Sequence, residues 1–96
     1  FTDDNSNNIC RLSSDEICLP IIIRTRRIGD KIYVKGLNGK KKVKDIFIDK
    51  KISLARRDTW PIVTDSEGKI LWIPGLKKSK FDKQKKEKYD IIMKYC

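Results

Sequence analysis

The longest apolar run in this chain is Ile21–Ile23 with its immediate neighbours, a stretch no longer than a strand. A membrane-spanning helix needs about 18 or more apolar residues in succession, and nothing here approaches that. Short runs of β-branched residues broken by Gly, Pro and charge call instead for short strands. At 96 residues the chain is expected to form one domain. A chain of this size buries only about 60–65% of the surface its unfolded form exposes. That predicts a single hydrophobic layer, with no room for a two-lobed active site.

Residues 1–8 are polar and without period, which reads as a lead-in or linker end. Phe1 in first place suggests a piece of a longer chain, and the acidic, polar start shows no signal-peptide pattern. Ile9–Leu12 fits a short strand, and residues 1–16 together form the lead-in. From Ile17 to Ile28 one long strand is expected, at an edge or bulged near Pro20 because proline removes a ladder donor. Lys31–Val34 is a further strand, and Gly36–Gly39 a loop. Over residues 40–51 the period changes: Val43, Ile46 and Phe47 fall at i, i+3 and i+4, a helical stripe. Residues 53–58 form a helical turn, and Trp60–Asp65 and Lys69–Ile73 a hairpin around Ser66-Glu67-Gly68. Residues 77–88 read as a loop, and Tyr89–Tyr95 as a closing period-2 strand. Strands dominate beside one helix, so the class is α+β, a small, mainly antiparallel, β-sandwich-like domain over residues 17–96.

Charge carries the functional signal. The chain has 23 Lys+Arg, 13 Asp+Glu and no His, for a net charge of +10. Residues 1–16 sum to −3 and residues 17–96 to +13. So large an excess repels itself and calls for an anionic partner, nucleic acid before a membrane surface. The missing His removes His-based triads and His general bases. Cys10, Cys18 and Cys96 lack C-x-x-C spacing, which fits free thiols in a reducing cytoplasm better than zinc or a disulfide framework. No metal ligand and no catalytic residue is expected.

Four segments follow one another in order: Arg24-Thr25-Arg26-Arg27-Ile28-Gly29-Asp30; Gly39 through Ile52 with Lys41-Lys42-Val43-Lys44 and Phe47-Ile48-Asp49; Arg56-Arg57-Asp58-Thr59-Trp60-Pro61; and Ile70-Leu71-Trp72-Ile73-Pro74-Gly75. In this order they resemble the C-terminal domain of bacterial tRNA(Ile)-lysidine synthetase (TilS), whose pattern runs R-x-R-x-x-G-D, K-K-h-K-x-h-F-I-D-x-K-I, R-D-x-W-P and h-h-W-h-P-G, where h is apolar. The likeness is close over 19–76 and looser over 77–96, and Ser53 departs from the family's usual Pro. It implies a β-sandwich with a helix, similar to a domain of phenylalanyl-tRNA synthetase, that holds the body and acceptor stem of isoleucine tRNA. The parent enzyme it implies is an ATP-dependent ligase that attaches lysine to a wobble cytidine. Its ATP and Mg would lie in an N-terminal domain carrying S-G-G-x-D-S, a loop this chain lacks. The residues alone support only a basic α+β RNA-binding domain. A stand-alone basic RNA-binding module, or a domain that docks on its own catalytic lobe or on a second copy as a homodimer, is the alternative.

The candidate RNA-binding residues are Arg24, Arg26, Arg27, Lys40, Lys41, Lys42, Lys44, Arg56 and Arg57. Arginines offer forked contacts to phosphate. The lysines crowd an expected helix start, where the helix dipole disfavours cations and a partner anion would relieve the conflict. The competing expectation pairs Arg24 and Arg26 with Asp30 and Asp58, with Asp30 capping its turn. Trp60, Trp72, Tyr33, Phe47 and Tyr89 are assigned to the core.

Overall fold

The computed structural model describes residues 6–95; residues 1–5 of the expected lead-in and Cys96 lie outside them. The strands are β1 (Ile9–Leu12), β2 (Ile22–Arg24), β3 (Lys31–Tyr33), β4 (Lys40–Lys42), β5 (Ile62–Thr64), β6 (Ile70–Ile73), β7 (Lys77–Lys78) and β8 (Ile91–Lys94). Two short helices, α1 (Val43–Asp49) and α2 (Leu54–Arg57), lie between β4 and β5. The described strands form three antiparallel sheets: β1-β8, β2-β5-β6-β7 and β3-β4. This is the expected mainly antiparallel β domain with little helix.

The central hairpin is buried on both faces, since every residue of β5 and β6 is buried. Continuous apolar strands are what a sheet covered on both sides requires. One cluster joins Ile62, Ile70 and Ile73 to Ile32, Val43, Ile46, Phe47 and Trp60. A second joins Val63, Leu71 and Trp72 to Cys10, Leu12 and Ile17, with Ile91 and Met93 against it. The single layer expected from chain length is therefore two, because β1 and β8 cover the second face. Ile9–Leu12, taken above with the lead-in, pairs along its whole length with β8. The Asn7 carbonyl accepts from the Trp72 indole N–H (2.8 Å) and from the Gly75 amide.

Three expectations are corrected. The long strand over 17–28 shrinks to Ile22–Arg24, the stretch that finds partners in Thr64–Ile62; as expected beside Pro20, it is an edge strand. The helix starts at Val43, and Lys40–Lys42 form β4 against Lys31–Tyr33. Only Lys44 then lies in the first turn, so the dipole argument fails for the other three lysines. Within 77–88, Lys77–Lys78 pair with β6, and Ser79 and Asp82 are buried. Asp82 accepts from the Arg11 backbone N–H and from the Lys35 ammonium. Its burial makes this a structural ion cluster inside what the sequence shows as a lysine run.

Candidate nucleic-acid interface

The candidate site is built on the turn after β2 and on the β3–β4 hairpin. At the turn, Gly29 takes φ +85°, a conformation open to glycine and strained for other residues. Asp30 fixes this turn by accepting from the Arg27 amide at 2.7 Å. Both terminal nitrogens of Arg24 donate to the same carboxylate, at 3.0 and 2.9 Å. Burial alone would raise the Asp30 carboxyl; the Arg24 and Arg27 hydrogen bonds outweigh it and hold the group below the usual carboxylate range. The Val43 amide donates to the Asp30 carbonyl, so the same residue also anchors the start of α1. Asp30 is structural, as expected.

In the hairpin, Lys31 faces Lys42 and Tyr33 faces Lys40 across the strands. Strand alternation sends Ile32 into the core and leaves these four exposed. Like charges directly opposite one another destabilise a sheet. Lys31, Lys42, Lys44 and Arg27 line one cleft of about 480 Å³ together with Arg26, Asp30 and Asp58. Among the described residues, the first four form no ion pair, while both acids are taken, Asp30 by Arg24 and Asp58 by Arg26. The cleft thus presents four cations that make no ion pair among the described residues.

The nine candidates separate by what their side chains touch. Arg24 is held in the Asp30 pair, with the two side chains 14% and 11% exposed. Arg26 donates to Asp58 at 2.9 Å and lies 5.8 Å over the Phe47 ring. The Arg57 Nε donates to the Ile52 carbonyl at 2.7 Å, bracing the segment between the helices. Lys41 pairs with Asp49 on α1. Arg56 is exposed and lies 5.1 Å over the Trp60 ring. Arg27, Lys40, Lys42 and Lys44 come together on the exposed side of the hairpin and its cleft. Lys31 and Lys80 belong with them; Lys31 was not among the sequence candidates, and Lys80 lies in the lysine run that the sequence leaves between an extension of the basic surface and a solvated loop. The signal for Lys31 was its place beside Ile32, whose inward position turns its strand neighbours outward.

Trp60 and Trp72 are buried, as expected, and each indole N–H donates to a backbone carbonyl, Pro74 and Asn7 respectively. Phe47 is in the core, but Tyr33 is exposed, against expectation, because Ile32 takes the inward position. Tyr89 is half-buried with the Arg11 guanidinium over its ring, again short of a core position. Burial pushes the Cys10 thiol up to about 12, with the Asp82 charge adding to it, so Cys10 is no nucleophile. Cys18, Asp65 and Glu67 bring three ligand-type atoms within 4.8 Å of one another. The Asp65 oxygens, however, already accept from the amides of Cys18, Glu67 and Lys69, which fits a turn clamp better than a metal site.

A family model described as the TilS substrate C-terminal domain matches residues 21–93, which contain the whole cleft and hairpin. The chain belongs to that family. A solved structure, "Crystal structure of TILS C-terminal domain", aligns with a TM-score of 0.84 at 45% identity, over 93% of this chain and 68% of that one. The tRNA(Ile)-lysidine synthase of Bacillus subtilis (strain 168) is 56% identical over 80 residues, 83% of this chain and 17% of its own length. The bifunctional protein TilS/HprT of Listeria monocytogenes serotype 4b (strain F2365) is 48% identical over 92 residues, 95% of this chain and 14% of its own. This TilS C-terminal domain thus spans about a sixth of the length of these two relatives.

Proposed function

We propose that this domain is the noncatalytic tRNA-binding part of a tRNA(Ile)-lysidine ligase. The observation that carries the reading is the Lys31–Lys42 pair, two like charges set opposite one another beside Lys44 and Arg27, in a cleft whose two acids, Asp30 and Asp58, are engaged by arginines. A phosphate backbone supplies the missing anions. Double-helical RNA suits such a face, since it is held mostly through phosphates and 2′-OH groups. Such contacts set position and register and carry no direct sequence information.

The parent enzyme would attach lysine to the wobble cytidine of isoleucine tRNA, using ATP and Mg bound in another domain, in the cytoplasm. The residues here do not fit those cofactors: the chain lacks S-G-G-x-D-S, and the cleft carboxylates Asp30 and Asp58 are held by arginines. What the domain adds is affinity. Tethered to a catalytic lobe, it acts on an already bound tRNA at high effective concentration, so weak intrinsic binding is enough.

The test is tRNA binding by this chain across a salt series. A steep fall of log K with log[salt] is expected, and less than about tenfold preference for isoleucine tRNA over an unrelated tRNA. Salt-independent binding, or none at low salt, overturns the reading. One observation favours docking on the rest of the parent as a second role: edge strand β2 exposes Ile22 and Ile23 beside exposed Leu19. Ile23→Lys should then weaken association with the remainder of the enzyme and leave RNA binding unchanged.

A further inference from the structure

An RNA surface that reads a single-stranded end needs an accessible ring, and both tryptophans are buried with their N–H groups engaged. Tyr33 is 38% exposed and stands on the open face of the hairpin, directly across from Lys40. The Lys40 ammonium lies 5.0 Å from its ring centroid and the Lys80 ammonium 4.4 Å. Lys80 is not there by chance of a loose loop. Its backbone N–H donates to the Tyr33 carbonyl at 2.8 Å, and the neighbouring Val34 and Ser79 form a β-bridge. By contrast Tyr95, exposed to a similar degree, leans on Trp60 with ring centroids 6.2 Å apart.

We infer that Tyr33 is a stacking platform for an unpaired nucleotide of the RNA held on the basic face, with Lys40 and Lys80 taking the flanking phosphates. This rests on the reading of that face as an RNA surface. An ammonium over an exposed ring is worth about two- to fivefold in an equilibrium constant, so the two together are worth about five- to thirtyfold. A base stacked on an aromatic side chain is worth about five- to 150-fold. A base displaces the ammonium groups because both lysines turn to the phosphates on either side of it, within side-chain reach, and their charge is not left without a partner. The hairpin's backbone pairing fixes the platform, so little ordering is required on binding.

The experiment compares a blunt RNA hairpin with the same hairpin carrying a short 3′ single-stranded overhang that contains a fluorescent adenine analogue. The wild-type chain should bind the overhang form more tightly and quench the analogue. Tyr33→Ala should lose about tenfold on the overhang form, abolish quenching and leave blunt binding unchanged, while Tyr33→Phe keeps all three. Equal losses on both RNAs, or wild-type binding without quenching, overturn the platform and make the ring a prop for Lys40 and Lys80. Blunt binding with no gain from the overhang overturns it too, while the basic-surface reading stands. Binding of neither RNA at low salt removes both. Quenching on the wild-type chain is required, and its loss in Tyr33→Ala assigns it to this ring.

Discussion

Two basic regions lie side by side and do opposite things. In the arginine corner, Arg24 and Arg26 close on Asp30 and Asp58, and the charge is consumed in holding the turn after β2. On the lysine hairpin and the first turn of α1 beside it, Lys31, Lys40, Lys42 and Lys44 are exposed and none forms an ion pair among the described residues. Residue chemistry explains the division. The planar guanidinium fork matches one carboxylate in two places, whereas an ammonium on a flexible stem serves as a movable point charge. A cation count therefore says little about binding until each cation's partner is known.

The largest effect that separates the regions is on stability. Arg24→Ala leaves the Asp30 carboxylate in a site where it is 11% exposed, and breaking such a pair should cost about 3 kcal/mol. Denaturant unfolding measures this, and Arg24→Lys should recover little because the fork is lost. A loss below about 1 kcal/mol would make the corner a binding surface after all. Next comes the hairpin. Changing Lys31, Lys40, Lys42 and Lys44 together to Ala should weaken tRNA binding by roughly tenfold to hundredfold, about 1.4–2.7 kcal/mol. The log K against log[salt] slope should flatten by about three, with an unchanged or raised melting temperature since cross-strand repulsion is relieved. Unchanged binding with a lower melting temperature would reverse the roles of the two regions.

Acid separates them further. Burial opposes ionisation of Asp30, but its hydrogen bonds from Arg24 and Arg27 prevail, so its pKa is lower folded than unfolded. Such a group contributes stability that is complete above the ordinary carboxylate value of about 4 and is lost as pH falls through the folded value. Unfolding followed below about pH 4 should show that acid limb, and Arg24→Ala should shorten it. The smallest effect belongs to Arg26→Ala. Its partner Asp58 is 71% exposed, so the stability change should stay below about 1 kcal/mol.

Elements whose neighbours along the chain carry their own signal were readable from the residues. The β5–β6 hairpin follows from two apolar runs around Ser66-Glu67-Gly68, β8 from a short alternating stretch, and β1 from a short run that fits a strand. The stripe of Val43, Ile46 and Phe47 is the buried side of α1, though the helix begins three residues later than the lysine run suggested. The basic excess over residues 17–96 likewise needed no coordinates to point to an anionic partner.

What the residues left open depended on partners distant in the chain. Lys40–Lys42 is a polar triplet that suits helix or loop, and it becomes a strand because Lys31–Tyr33 pairs with it. Arg26 meets Asp58 across 32 residues, and Lys35 meets Asp82 across 47, so no local pattern tells a bound cation from an open one. Tyr33 has the composition of a core residue and faces solvent because register assigned Ile32 the inward place. Periodicity and charge are properties of short windows, while ion pairing and strand register are settled by groups that only folding brings within a few ångströms. That is why an anionic partner can be proposed from the chain alone, while the cations that would meet it can be named only from the fold.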